Sequence, residues 1–268
     1  MIYPKKIKKG ATVGIVCLSS GVLGESFVKH EIKLIEERLP KDFGLKFKYM
    51  PNALKGEEFL KKHPEKKADD LKVAFLDKDV DLIWSALGGD DTFRTLPYLM
   101  NEDFARIIKK HPKPFLGFSD TTNNHLMFYQ LGLATFYAPA LLSDVAELGP
   151  EIFEFTKNWL NRLFTPEKNI VIESSPVWYE ARTTFGEDQL GVPRKEREEE
   201  HSHEFLYGKN TIQGELLGGC LESLSEMITG ERYADQKEIY KNYQIFPTKE
   251  QWRDKIVFVE TSEERPNP

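Results

Sequence analysis

The sequence predicts an α/β protein: a doubly wound, mostly parallel sheet followed by a smaller mixed β/α domain. Three observations carry this. Residues 11–18 (ATVGIVCL), 80–85 (VDLIWS) and 115–118 (FLGF) are short, mostly apolar runs, the pattern of strands buried on both faces. Each run ends abruptly in small or polar residues, at Ser19-Ser20-Gly21, Gly88-Gly89-Asp90 and Ser119-Asp120, as strand-to-helix turns do. Charged stretches with apolar residues at helical spacing separate the runs, and strands that alternate with helices build a parallel sheet.

The elements follow in order. After the first strand, Val28, Ile32, Ile35 and Leu39 recur at helical spacing through residues 27–39, and residues 45–49 read as the second strand. Residues 68–76 are helical and lead into the strand at 80–85. Helices to about Leu99 and over 103–110 precede the strand at 115–118, and Thr121-Thr122 opens a helix through Leu131. Residues 151–164 are amphipathic and close a first domain, 1–165. A linker and polar excursion follow over 166–207, with a short strand expected at 170–173 and the run RKEREEEHSHE within 180–204. A carboxyl-terminal domain, 208–268, reads as strand, glycine turn and helix over 208–228, then a buried strand KIVFVE ending on Glu260.

Composition limits the function classes. At 268 residues and 40% hydrophobic content the chain fills real cores without staples. Two cysteines, Cys17 and Cys220, suggest a reducing compartment rather than a disulfide framework, and a cytoplasmic protein is expected. No apolar run is long enough for a membrane span, and a net charge of −6 argues against a nucleic-acid surface. The GxGxxG pattern is not met near Gly21 and Gly24, so no dinucleotide cofactor is expected.

In a doubly wound sheet, ligands sit at the carboxyl ends of the strands, so Gly88-Gly89-Asp90 and Ser119 are expected to face one crevice. Ser119 at the turn reads either as a helix N-cap or as an exposed nucleophile beside helix N–H groups. Gly88-Gly89 either makes a tight turn or brings backbone N–H groups to a ligand as an oxyanion hole. With the strand-end carboxylate Glu260 these are the parts of a serine hydrolase, apart from a histidine base. None of the six histidines is convincing. His125 lies six residues into the helix after Ser119, roughly 9 Å along its axis, and is expected to pack behind the turn. His201 and His203 read as solvated residues of the acidic excursion, so no metal site is expected.

Several segments together resemble the LD-carboxypeptidase family of serine peptidases, in its microcin C self-immunity branch: KKGATVGIVCLSSG, DLIWSALGGDDTFRTLPYL, PKPFLGFSDTTNNHLMFYQLGLATFYAP, GELLGGCLESL and KIVFVETSEE. The resemblance covers almost the whole chain. It implies Ser119 as nucleophile and Glu260 as the residue that orients the catalytic histidine. It also implies an oxyanion hole from the N–H of Gly89 or Asp90 with that of Asp120, no cofactor, and a homodimer in the full-length form. The implied substrate is an amide in a peptidyl or aminoacyl nucleotide conjugate, or in a murein tetrapeptide. Gly88 is expected to line the substrate site, and Trp178 either stacks on a nucleobase or packs locally. The sequence departs from the family at Cys220, where Asn is usual. The family's catalytic histidine follows the glutamate strand by several tens of residues, whereas this chain ends at Pro268, so a truncated, inactive form is expected. A non-catalytic peptide or nucleotide binding module is the alternative.

Overall fold

A computed structural model describes residues 1–164, 171–209 and 211–262. At its centre is a five-stranded sheet of β1 (Thr12–Val16), β2 (Lys46–Tyr49), β3 (Leu82–Ser85), β4 (Phe115–Gly117) and β5 (Phe136–Tyr137), in the order β2-β1-β3-β4-β5. Every neighbouring pair is parallel. The α/β, mostly parallel architecture is thus the one expected.

Two apolar layers sandwich the sheet, which explains why its central strands carry no polar alternation. On one face, Val13, Ile15, Leu82, Trp84 and Leu116 pack against α1 (Lys29–Phe43) and, farther along the chain, Leu160 and Phe164. On the other, Val16, Ile83 and Phe115 meet the buried faces of three helices before the fourth strand. These are α3 (Pro64–Leu76), α4 (Leu96–Leu99) and α5 (Glu102–Lys110), whereas α2 (Glu57–Lys62) buries Leu60 in the layer of the first face. Helix α6 (Thr122–Gln130) follows β4 and buries Leu126, Met127 and Phe128 in the same layer.

Helix boundaries follow local chemistry. Helix α1 continues beyond the expected Leu39, through Pro40, so that Phe43 meets Phe164 edge-on at 5.6 Å; Gly44 then ends it in the left-handed region. Helix α5 starts where Asn101 accepts a hydrogen bond from the Phe104 N–H. Phe164 belongs to α7 (Glu154–Phe164).

The polar excursion contains a short element of regular structure. Its ends pair as an antiparallel ribbon of β6 (Val177–Tyr179) and β7 (Glu196–Glu198). The ribbon is pinned to the sheet domain at Glu147, a buried carboxylate whose Oε1 accepts from Arg182 Nη2 at 2.7 Å and whose Oε2 lies 2.9 Å from Arg194 Nη2. Arg38 holds the same loop from beneath, donating to the carbonyls of Val145, Glu147 and Gly149. Of the strand expected at 170–173, Ile170 lies outside the described residues, and 171–173 form no strand. Residues 166–169, the start of the expected linker, also lie outside them.

Beyond the ribbon, β8 (Glu215–Cys220) pairs in parallel with β9 (Lys255–Glu260). The glycines expected to form a turn, Gly218 and Gly219, lie inside β8, and α8 (Leu221–Thr229) begins directly after it. Strand β9 is half exposed rather than buried, with Val257 56% and Val259 54% accessible, because β8 alone flanks it among the described residues. Helix α9 (Gln236–Tyr243) and α10 (Lys249–Trp252) complete this part. It does not stand apart: Leu217, Leu224, Met227, Tyr240 and Ile245 share the core layer of Phe93 and Leu126. No described helix is long and apolar enough to cross a membrane.

Candidate active site

The strand order places β1, β3 and β4 side by side, so the loops leaving their carboxyl ends converge: Ser19-Ser20 after β1, Gly88-Gly89-Asp90 after β3, and Ser119 after β4. Ser119 has φ 59, a left-handed conformation that is strained for a side-chain-bearing residue by about 1 kcal/mol or more. The surrounding bonds over-determine it. Its N–H donates to the Tyr137 hydroxyl at 2.8 Å, its carbonyl accepts from Thr122 Oγ1 at 2.7 Å, and Thr121 Oγ1 donates to the Phe118 carbonyl at 2.7 Å. The Ser119 side chain does not cap α6; its hydroxyl makes no hydrogen bond among the described residues.

The glycine loop lies directly against this serine. A Cβ on Gly88 would fall 2.9 Å from Ser119 Cβ and 3.1 Å from its Oγ, a contact only glycine permits. Gly89 adopts φ 145, and a Cβ there would meet Ser19 Oγ at 2.3 Å. The loop is fixed by the Ser20 N–H donating to the Gly88 carbonyl at 3.2 Å. Among the described residues the N–H groups of Gly89 and Asp90 make no hydrogen bond, which leaves them free for a ligand oxygen.

Beneath the loops lies a buried polar network centred on Asp120. Its Oδ2 accepts from the Ser19 hydroxyl at 2.5 Å and from the Thr92 N–H at 3.0 Å, and its Oδ1 accepts from Asn123 Nδ2 at 2.9 Å. One carboxylate therefore ties together the turns after β1, β3 and β4. Burial pushes its pKa up to about 6, partly offset by the bonds from Ser19 and Thr92. Ser19 Oγ also receives the Asp91 N–H at 3.4 Å, and the Asp91 carboxylate pairs with the buried Lys67 ammonium at 2.6 Å. Asp91 is thus committed to a structural ion pair.

Glu260 arrives from the other side. At the end of β9 it stands opposite Cys220 in the strand register, and its Oε1 accepts from the Tyr137 hydroxyl at 2.6 Å. Tyr137 therefore links the serine turn to the glutamate. Desolvation, then the Glu260 carboxylate, raises the Tyr137 pKa and keeps it a neutral donor. The Cys220 N–H donates to Thr122 Oγ1 at 2.9 Å and its thiol to Glu222 Oε2 at 2.9 Å; burial pushes that thiol up to about 12, so it is not a thiolate nucleophile.

All six histidines lie among the described residues, and none hydrogen-bonds to Ser119 or Glu260. His125 packs behind the turn, with Nε2 2.9 Å from the Gly117 carbonyl and Nδ1 2.7 Å from Thr135 Oγ1. Burial lowers its pKa to about 4, so it is a neutral structural residue. His30 contacts the Phe185 carbonyl and His63 contacts Glu65, while His201 and His203 are exposed near the ribbon. Among the described residues no group of three His, Cys, Asp or Glu is arranged to hold a metal ion. Trp178 lies on β6 opposite Arg197, 47% exposed.

The structure brings Ser119, Asp120, Gly88 and Gly89 together directly, and reaches Glu260 through a residue that sequence reading missed, Tyr137. Ser19 was also missed. Each had a signal of the kind that singled out Gly88: Ser19 follows the first strand, and Tyr137 ends a strand beside β4, so a parallel sheet delivers both to the same edge.

Residues 13–138 match the family described as LD-carboxypeptidase N-terminal domain. The solved structure of an MccF-like protein from Streptococcus pneumoniae, in complex with AMP, superposes with a TM-score of 0.90 at 46% identity, covering 96% of this chain and 74% of that one. Microcin C7 self-immunity protein MccF of Escherichia coli is 28% identical over 163 residues, 60% of this chain and 45% of that protein. A probable murein peptide carboxypeptidase of Bacillus subtilis is 28% identical over 226 residues, 84% of this chain and 59% of that protein. The chain spans about half the length of the first curated relatives it matches. Its 46% identity along three quarters of a relative with the same fold settles the kinship: the chain belongs to the LD-carboxypeptidase family.

Proposed function

We propose that this protein carries the nucleophile half of a serine amidase or carboxypeptidase site, acting on an aminoacyl or peptidyl nucleotide conjugate. The observation that carries the reading is the Ser119 turn, strained, with its hydroxyl uncommitted, and packed against a glycine loop with free N–H groups. In this reading residues 1–165 supply the nucleophile and 208–268 the glutamate. Ser119 Oγ attacks the amide carbonyl, and the N–H groups of Gly89 or Asp90 and of Asp120 hold the developing oxyanion. A histidine oriented by Glu260 takes the hydroxyl proton and returns it to the leaving amine; water then releases the acyl group. That histidine is none of this chain's six, so the 268-residue form binds its ligand without turning it over, as a binding module would.

The AMP complex of the S. pneumoniae relative supports a nucleotide-bearing ligand, with Trp178 as a candidate base-stacking surface and Gly88 in the acyl pocket. A murein tetrapeptide is the second substrate, supported by the kinship with the B. subtilis protein. Homodimerisation and a cytoplasmic location belong to the same reading.

The test is calorimetry of the 268-residue protein with AMP, an aminoacyl sulfamoyl adenosine and a murein tetrapeptide, together with hydrolysis assays. The sulfamoyl compound is expected to bind without being hydrolysed. In a longer form that supplies a histidine, hydrolysis is expected to disappear in Ser119→Ala; wild-type rates in that variant would exclude Ser119 as nucleophile.

A further inference from the structure

The opposite edge of the sheet carries a second feature. A groove of about 640 Å³ runs beneath the amino-terminal ends of β1, β3 and β4, between residues 5–11, the loop after α3 and the loop after α5. Seven lysines and two aspartates line it, in a protein whose net charge is −6. The two carboxylates are already engaged: Asp77 pairs with Lys48 at 2.5 Å, and Asp81 accepts the Thr12 N–H at 2.8 Å. One lysine is engaged too, because Lys113 donates to the carbonyls of Ala74 and Asp77 at the end of α3. The other six, Lys5, Lys6, Lys8, Lys9, Lys78 and Lys110, form no side-chain hydrogen bond or ion pair among the described residues.

Helix ends do not account for this charge. The carboxyl ends of α3 and α5 each present about half a negative charge, and Lys113 already answers the first. Asp81 keeps its charge, since a neutral N–H does not cancel it, so about four cations remain without a counter-charge. The backbone that presents them is held in place, since Ile7 and Val80 are buried at 5% and 2% exposure. The groove has the size of a small-ligand pocket, for which roughly 300–1,000 Å³ is usual. It offers no exposed Phe, Tyr or Trp for base stacking, Phe75 being fully buried, and its one exposed ring is the small imidazole of His111. Its concavity also suits a compact ligand better than a flat bilayer surface.

We propose that this groove is an anion site for a compact oligophosphate, separate from the serine crevice at the other edge of the sheet. Each exposed ammonium–phosphate pair is weak alone, so binding depends on several lysines acting together and weakens with salt.

The experiment is isothermal titration of the 268-residue protein with inorganic tripolyphosphate, at low ionic strength and at physiological salt. One saturable site, weakened by salt, is expected. The K5Q/K6Q/K8Q/K9Q variant, and separately K78Q/K110Q, are expected to bind at least about tenfold more weakly. A control variant of exposed lysines elsewhere, K33Q/K237Q/K241Q/K249Q, is expected to stay within about twofold, as is Ser119→Ala. Circular dichroism confirms folding of each variant. The proposal is overturned by absence of saturable binding, or by equal weakening in the control variant. It is also overturned by tighter binding, at equal phosphate, of a single-stranded oligonucleotide or of phosphatidylglycerol vesicles.

Discussion

The Tyr137 hydroxyl donates to Glu260 Oε1 at 2.6 Å while accepting the Ser119 N–H at 2.8 Å, so one phenol joins the Ser119 turn to the Glu260 strand. Tyr137→Phe keeps the ring contacts with Phe258 and His125 but orphans both partners. A loss of about 1–3 kcal/mol is expected in urea unfolding. A change near zero would mean that the bridge contributes nothing to holding the turn.

Gly88→Ala tests the close approach of the glycine loop to Ser119. The added methyl meets Ser119 Cβ at 2.9 Å, and one of the two turns has to move. Stability is expected to fall by about 1–3 kcal/mol, with at least about tenfold weaker binding of a sulfamoyl adenosine by calorimetry. Unchanged affinity would place the ligand away from this contact.

Asp120 gives a pH signature. Its pKa is raised to about 6, so between the ordinary aspartate value and about 6 the native state holds a proton that the unfolded state has lost. Its contribution to stability is therefore full at the acid end and declines as pH rises through that window. Asp120→Asn removes this titration. The unfolding free energy of the wild type minus that of the variant is expected to fall between pH 4 and pH 6, and a flat or rising difference would contradict the assignment.

Glu147→Gln probes the pin beneath the ribbon. Replacing the buried carboxylate leaves Arg182 and Arg194 without their counter-charge. Faster cleavage by a glutamate-specific protease within residues 180–204 is expected, read by mass spectrometry under native conditions. Equal cleavage rates would show that the ribbon is held by other contacts.

Much of the sheet domain was legible because its signals are local. Continuous apolar runs mark strands buried on both faces, and the breaks at Ser19, Gly88 and Ser119 mark the edge where loops gather. The ribbon was not legible. Val177–Tyr179 and Glu196–Glu198 show little apolar alternation, and their pairing is stabilised by Glu147, far away in sequence. Strand β9 was read as buried because KIVFVE is apolar, but burial depends on what lies beside a strand.

By itself the sequence determined the α/β rhythm and the kinship, and it singled out Ser119 as a candidate, since these depend on residue types at short spacing. Only the tertiary structure decided that Ser119 is held in a left-handed turn rather than capping its helix, that Asp120 ties three loops through its side chain, and that Tyr137 carries the connection to Glu260. The physical reason is that each of these rests on hydrogen bonds between residues 18 to 123 positions apart, which form only when the parallel sheet brings strand ends together.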